Sequence, residues 1–169
     1  MLDALALPAP LAATDTMVRR ATPEDLPALM ALLADDPISA ARGDVASPED
    51  ETAYRAALEA VLAAPGNDLL VVADAEGTVI GTLQLTLIPG MARRGSTRLL
   101  VEAVRVAGDR RSGGVGSALM RWTTDVVAPA LGAGLVQLTS DAQRTDAHRF
   151  YLRLGFIDSH IGFKYRVRA

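Results

Sequence analysis

The sequence contains no cysteine and only two histidines, and each shortage excludes a class of chemistry. Without cysteine there is no disulfide, no thiolate nucleophile, no cysteine-built zinc or iron–sulfur site and no cysteine-bound acyl intermediate. The two histidines, His148 and His160, are too few for a three-histidine zinc site and do not form a His-x-x-x-His pair. We therefore expect no metal.

Basic charge and long apolar runs are also scarce. The net charge is −3, and Lys164 is the only lysine among 17 basic residues, which argues against a nucleic-acid partner. The longest runs without a polar or charged side chain, Ala4–Ala13 and Val126–Val136, are shorter than the roughly 18 residues of a membrane span, so we expect no membrane partner. The first residues include Asp3 but no basic residue, unlike a secretory signal, and a cytoplasmic location is the expectation.

A chain of 169 residues, half of them hydrophobic, is long enough for one self-sufficient core. Residues 1–16 come before the first patterned segment and are interpreted as a disordered leader. Residues 17–169 are then a single domain.

Turn signals and apolar spacing predict the element order β-α-α-β-β-β-α-β-α-β, hence an α/β fold with a mixed central sheet and helices on both faces. Thr22-Pro23 and Ser47-Pro48 are typical helix starts. A later helix should bury Val115, Leu119, Trp122 and Val126, which are spaced by four, three and four. Strands are expected at 17–20, 69–73, 79–88, 99–106 and 135–139, and the tail 156–167 is expected to supply one or two closing strands.

The segment 104–116 carries the most information about function, because a strand passes there through a glycine-rich turn into a helix. Glycines let the backbone approach a ligand, and free N–H groups at a helix N-terminus favour an anion. The segment does not match a dinucleotide fingerprint, because Leu119 stands where the third glycine would follow Gly114 and Gly116. It does not match a P-loop either, because no Gly-Lys-Ser/Thr is present. The alternative is a turn that only caps the helix.

Two motifs in this order resemble the GCN5-related N-acetyltransferase (GNAT) family. The family signature Gln/Arg-x-x-Gly-x-Gly/Ala is matched by Arg111-Ser112-Gly113-Gly114-Val115-Gly116, and a later family pattern, Ala-x-x-Phe-Tyr-x-x-x-Gly-Phe, is matched by residues 147–156. The resemblance covers essentially residues 17–169 and implies the acyl-coenzyme A N-acyltransferase fold. Residues 144–150 and Ser159-His160 are similar to the branch that contains aminoalkylphosphonate acetyltransferases.

The resemblance implies acetyl-coenzyme A as cosubstrate, with its pyrophosphate on the glycine turn. Free backbone amides at the end of the predicted strand 99–106 would stabilise the oxyanion that forms when the thioester is attacked. The resemblance implies that these amides also bind the pantetheine arm of acetyl-coenzyme A. Asp146 stands where the family commonly has asparagine; aspartate serves equally as a helix N-cap but does not donate a hydrogen bond when ionised. The cofactor-binding residues predicted on these grounds are Val104, Arg105, Val106, Arg111, Ser112, Gly113, Gly114, Val115, Gly116, Ser117 and Asp146.

Acetyl transfer to an amine needs a base, because a free alkyl ammonium has a pKa of about 10.4. Glu102 is the candidate, since strand alternation would place it on one face with Val104 and Val106, in apolar surroundings that make a carboxylate a stronger base. The alternative is a solvated glutamate. The resemblance implies that Tyr151 is the general acid that protonates the leaving thiolate; plain packing is the alternative for this position.

The leading hypothesis is an N-acetyltransferase that joins a small primary amine and acetyl-coenzyme A in one ternary complex. A non-catalytic acyl-coenzyme A-binding regulatory domain and a protein or peptide N-acetyltransferase are the alternatives. Asp35, Asp36 and Asp44, in the loop before the second helix, would either attract a cationic amine or simply keep the loop soluble. A homodimer is a further expectation that the family resemblance allows.

Overall fold

The computed structural model describes residues 2–167, and within them six strands form one mixed sheet. The strands lie in chain order, β1-β2-β3-β4-β5-β6, with antiparallel neighbours except for the parallel pair β5–β6. The predicted mixed sheet is therefore confirmed. The strand bounds are β1 Ala9–Pro10, β2 Met17–Arg20, β3 Asn67–Ala73, β4 Val79–Ile88, β5 Arg98–Val106 and β6 Leu135–Leu138.

Helices cover both faces of the sheet, as the predicted fold class requires. Short 3-10 turns at Pro23–Asp25 and Pro48–Asp50 lead into the two helices that the Thr-Pro and Ser-Pro signals predicted. The first start is fixed by Asp25, whose Oδ2 accepts the Thr22 N–H at 2.8 Å. The helix bounds are α1 Leu26–Ala34, α2 Pro37–Ala40, α3 Glu51–Ala63, α4 Ala92–Gly95, α5 Val115–Trp122, α6 Ala128–Ala130 and α7 Thr145–Arg153.

Two hydrophobic clusters lie on opposite faces of the sheet. The main cluster packs α5 against strand residues such as Leu83, Leu85 and Val101. The smaller cluster packs α1 and Leu58 of α3 against Val71. Alternation along β3 and β4 divides the strand side chains between the two, which is the expected behaviour of a sheet covered on both faces.

The helix that begins with α5 departs from the predicted spacing. A π-helical turn, Thr123–Val127, separates α5 from α6 and inserts an extra residue into the helical phase. Val115, Leu119 and Trp122 are buried as predicted, but Val126 is 53% exposed and Val127 is fully buried in its place.

The N-terminal segment differs from the predicted disordered leader. Residues 2–16 include β1, which pairs with β2, and Arg20 donates to the Leu2 carbonyl at 2.7 Å. Leu2, Leu5 and Leu11 are buried in the main cluster. Leucines that fill the sheet's own core give this segment the apolar burial that a disordered leader lacks.

The C-terminal tail also differs from prediction. No strand forms among residues 156–167, so the predicted closing strands are wrong for this structure. The helix before the tail ends as predicted, with Gly155 in the left-handed region at φ +89°.

Candidate active site

The glycine turn after β5 keeps the backbone shape that an anion site needs. Ser112 and Gly114 have φ values of +68° and +86°, and only glycine adopts such a value without cost. A Cβ on Gly116 would lie 3.6 Å from both Phe150 and Val106, so the turn packs closely against α7 and β5 at this point. Residues 111–114 are exposed and reachable from solvent.

A row of backbone N–H groups at the start of α5 is available to a ligand. The first amide that bonds back into the helix is that of Ala118, which donates to the Gly114 carbonyl at 2.9 Å. Among the described residues, the amides of Ser112 and of residues 114–117 have no hydrogen-bond partner. Unpaired amides at the positive end of a helix dipole make a cradle that fits a pyrophosphate.

Arg111 ties the turn to its neighbours. Its Nε donates to the Val106 carbonyl at 3.0 Å, and one terminal nitrogen reaches the carbonyl and the carboxylate of Asp35 at 2.6 and 3.0 Å. The Gly108 amide donates to the same carboxylate at 2.8 Å. The Arg111 side chain thus joins β5 and the end of α1, and the unpaired amides of the turn remain available to an anion.

The end of β5 has one side without a partner strand. The parallel pairing with β6 runs from Arg98 to Val101 and stops there, while β5 continues to Val106. On that side, residues 102–106 have no strand to pair with among the described residues. This opening is consistent with the prediction that the amides of Val104, Arg105 and Val106 contact the cosubstrate, which stays a prediction.

A β-bulge changes which side chains of β5 share a face. Ala103 has φ +50°, and the pairing with β4 shifts there, so that two residues of β5 oppose Leu83. Glu102 pairs with Gln84 and Arg105 with Thr82, on one face. The predicted alignment of Glu102 with Val104 and Val106 is therefore wrong, since both valines pack against the main cluster on the other face.

Glu102 is exposed, so the apolar surroundings predicted for its carboxylate are not present. Its side chain belongs to the face that also carries Arg105. At this position the carboxylate is open to water and to an incoming amine, and its role as base stays a prediction.

Tyr151 has the packed ring that the sequence allowed for it, and its role as general acid stays a prediction. The ring packs edge-on against Phe150 and Phe156, with centroid distances of 5.1 and 5.7 Å, and contacts the main cluster. Burial raises the pKa of its phenol, while the nearby charges of Arg105 and Arg144 oppose this shift. The hydroxyl therefore keeps its proton at neutral pH, which a general acid requires.

A partly buried ionic cluster beside Tyr151 contains residues that the sequence did not single out together. In this Asp36 cluster (Asp36, Ser39, Arg105 and Arg144), Arg144 donates to the Asp36 carboxylate and Arg105 donates to the Ser39 hydroxyl at 2.7 Å. The Asp36 carboxylate lies 3.9 Å from Arg105. The cluster joins α2, β5 and the start of α7, and no local pattern could have indicated it because its members are up to 108 residues apart.

The loop carboxylates are already engaged, so the suggestion that they attract a cationic amine loses support. Asp35 binds Arg111 and Gly108, Asp36 binds Arg144, and Asp44 accepts the Tyr54 hydroxyl at 2.7 Å.

Asp146 does not cap α7, since Arg144 occupies the N-cap position. The Asp146 side chain is exposed and pairs with Arg149. His148 is half-buried and bonds the Asp141 carbonyl at 2.8 Å, whereas His160 is exposed and bonds Ser159.

Within the described residues, no group of three or more His, Cys, Asp or Glu side chains is arranged to hold a metal ion. A search of residues 2–167 likewise finds no helix long and apolar enough to cross a membrane.

Known proteins share this fold. The acetyltransferase (GNAT) family matches residues 26–156. A transcriptional regulator from Bacillus halodurans C-125 has 36% identity and a TM-score of 0.83, over 90% of this chain and 99% of that one. An acetyltransferase from Trypanosoma brucei, at 22% identity and TM-score 0.71 over 90% and 100% of the two chains, shows the fold alone.

A curated relative matches a shorter stretch. The aminoalkylphosphonate N-acetyltransferase of Salmonella typhimurium is 45% identical over 49 residues, which are 29% of this chain and 31% of that enzyme. The chain belongs to the GNAT acetyltransferase family, as the two motifs predicted. The family and its acetyltransferase relatives support an acetyl-coenzyme A-dependent N-acetyltransferase.

Proposed function

We propose that this enzyme transfers the acetyl group to the primary amine of a small molecule, with both substrates bound at once. The observation that carries the proposal is the row of unpaired amides at the start of α5, together with the end of β5 that has no partner strand on its β6 side. Such an arrangement holds the cosubstrate's phosphates and its arm while the amine attacks the thioester directly. The reaction forms a C–N bond and breaks a C–S bond, and the chain has no cysteine to carry the acetyl group between.

The residues that would hold acetyl-coenzyme A are those of the turn and strand. The amides of Ser112 and of residues 114–117 bind the pyrophosphate, and the amides of residues 104–106 bind the pantetheine arm. Gly113 lies within the turn, Arg111 fixes the turn to β5, and Asp146 lies in the first turn of α7.

Two protons must move during the transfer. Glu102, exposed on β5, accepts the proton of the ammonium, directly or through a water molecule. Tyr151, whose phenol burial keeps protonated, gives its proton to the departing thiolate.

The acceptor we propose is a small amine, with an aminoalkylphosphonate as the first compound to test. Support comes from the partial relative, which is named as an aminoalkylphosphonate N-acetyltransferase. A cytoplasmic location and a homodimer complete the proposal.

A second candidate function is acyl-coenzyme A sensing without turnover. It is favoured by one observation, the 36% identity to a protein described as a transcriptional regulator. Glu102 and Tyr151 would be unnecessary to such a sensor, which argues for the enzyme.

Calorimetry with acetyl-coenzyme A, followed by thiol release across a panel of amines, tests the proposal. Tyr151→Phe should lower turnover about 100-fold and leave acetyl-coenzyme A affinity within about twofold, because the ring packing is kept and only the proton donor is lost. Glu102→Gln should also lower turnover, because the variant has no carboxylate to accept the proton of the ammonium.

Glu59→Gln is the matched control, an exposed carboxylate on α3 that should leave turnover unchanged. Binding with no amine-dependent thiol release would favour the sensor, or a protein substrate in place of a small amine. Full turnover in Tyr151→Phe would remove Tyr151 from the mechanism.

A further inference from the structure

One face of the sheet is partly open beside Glu102. The other face is closed there, since Leu83 and Leu85 of β4 are fully buried in the main cluster. On the open face, Gln84 and Thr86 alternate with these leucines and are only half-buried, while Glu102 on the neighbouring strand is exposed. A ligand can therefore reach Gln84 and Glu102 from the same side of the sheet.

Hydrogen bonds hold the Gln84 carboxamide in one orientation. Asn67 of β3 lies opposite Thr86, and its Oδ1 accepts from the Thr86 hydroxyl at 2.7 Å and from Gln84 Nε2 at 3.4 Å. The amide nitrogen of Gln84 is therefore turned toward β3. The two arms of a planar carboxamide diverge, so its oxygen is turned away from β3 and remains free to accept a hydrogen bond.

Glu102 lies on the side away from β3. β4 lies between β3 and β5, and Gln84 is directly opposite Glu102 in the register. The Cβ atoms of directly opposite residues are about 4.5–5.5 Å apart, so the polar ends of both side chains reach the same space. Arg105, on the same face of β5, does not neutralise the carboxylate, because its terminal nitrogens donate to the Val104 carbonyl and the Ser39 hydroxyl. Among the described residues, no ion pair includes Glu102.

The two free groups are both hydrogen-bond acceptors. An amide oxygen and an ionised carboxylate have no proton to offer one another, so both are satisfied only by a donor that lies between them. A primary ammonium has three N–H donors and a positive charge, and its hydrogen bonds to a carboxylate are charge-assisted. It fits this pair of acceptors better than a neutral donor does.

We propose that Gln84 determines specificity for a primary amine, its Oε1 accepting one N–H of the acceptor's ammonium while Glu102 binds another. The inference rests on the proposed function, in which Glu102 is the base. One proton passes from the ammonium nitrogen to the Glu102 carboxylate, and the electron pair of that N–H bond stays on nitrogen as the lone pair that attacks. The N–H bonded to Gln84 is kept, so Gln84 orients the nitrogen and takes no proton itself.

Steady-state kinetics with the amine that gives thiol release test the role of Gln84. Gln84→Met keeps the length of the side chain but has no acceptor oxygen, so KM for the amine should rise about tenfold or more, with acetyl-coenzyme A affinity within about twofold. Gln84→Glu keeps an acceptor oxygen but loses the bond to Asn67, and its KM should be no more than about twice that of the wild type. The matched control is Gln137→Met, at a half-buried glutamine of β6 opposite Leu100, which should leave KM unchanged.

An unchanged KM in Gln84→Met would overturn the inference. A Gln84→Glu enzyme as impaired as Gln84→Met would also overturn it, because the effect would then come from the bond to Asn67. Either result leaves the proposed acetyl transfer standing, since the wild type still turns over.

Carbon-13 NMR of the full-length chain tests the same contact without turnover. The side-chain carbonyl signals of Gln84 and Glu102, assigned by their loss in Gln84→Met and Glu102→Gln, are followed with coenzyme A bound while ethylammonium is added. Both signals should shift along one saturating curve. Tetramethylammonium, which has the same charge but no N–H, should leave the Gln84 signal in place. A Gln84 signal that ignores ethylammonium, or that moves equally with tetramethylammonium, would contradict the contact. A saturating shift in a protein that acetylates no small amine would instead count against the proposed function and leave the ammonium site standing.

Discussion

Asp36 holds three elements together through one carboxylate. Its Oδ2 accepts the Ser39 amide at 2.9 Å, which caps α2, and the same oxygen accepts from Arg144 at the start of α7. Burial disfavours the charged form, but the hydrogen bonds from Ser39 and Arg144 outweigh it and lower the pKa of Asp36 to about 2. The ionised carboxylate is therefore part of the folded structure next to Tyr151.

Asp36→Asn should reduce the free energy of unfolding by about 2 kcal/mol at pH 6. Because the folded-state pKa is depressed, this contribution is fully present above the unfolded value of about 3.9 and is lost as the pH falls from there to about 2. Urea unfolding of wild type and variant between pH 6 and pH 3 measures the difference. A gap that does not narrow over this range would contradict the assignment. Asp15→Asn, at an exposed carboxylate, is the control and should change the free energy by less than about 0.5 kcal/mol at pH 6.

At the scale of elements, the π-helical turn after α5 decides which valine enters the core. In an uninterrupted helix, Val126 would continue the stripe of Leu119 and Trp122. The extra residue rotates the chain so that Val127 is buried and Val126 faces solvent. The π-helical turn thus decides which of two adjacent valines is buried.

Val127→Ala should lower the free energy of unfolding by about 2 kcal/mol, from lost apolar burial and the cavity that remains. Val126→Ala, one residue away and 53% exposed, should cost less than about 0.5 kcal/mol. Chemical denaturation of the two variants provides the comparison. Equal losses, or a larger loss at Val126, would indicate a regular helix.

For the whole molecule, the N-terminal segment and the C-terminal tail contrast sharply. The first packs its leucines into the main cluster, whereas the second exposes its apolar side chains. The folded domain therefore includes residues before Met17 in its core, whereas the apolar side chains of the tail lie outside it.

Leu11→Ala should destabilise the protein by about 3 kcal/mol, because Leu11 is 1% exposed within the main cluster. Ala12→Ser, at the adjacent exposed position, should be nearly neutral. Thermal unfolding of both variants measures the effect. A Leu11→Ala protein as stable as the wild type would restore the interpretation of residues 1–16 as a leader without structural function.

Features set by neighbouring residues were predicted from the sequence. The Thr-Pro and Ser-Pro helix starts, the strand 79–88 and the glycine turn after β5 each depend on propensities and dihedral angles within a few positions. Two short motifs were enough to predict the family, because a turn that offers its backbone amides to an anion needs its glycines at fixed spacing.

Only the tertiary structure decided what depends on residues far apart in the chain. Glu102 and Val104 lie on opposite faces because the register with β4 imposes a bulge at Ala103, which alternation along β5 alone does not show. The Asp36 cluster forms because α2, β5 and α7 converge there. The apolar alternation of the tail predicts closing strands, but no strand forms among residues 156–167, because strand pairing also needs a neighbouring sheet edge that the local sequence does not show.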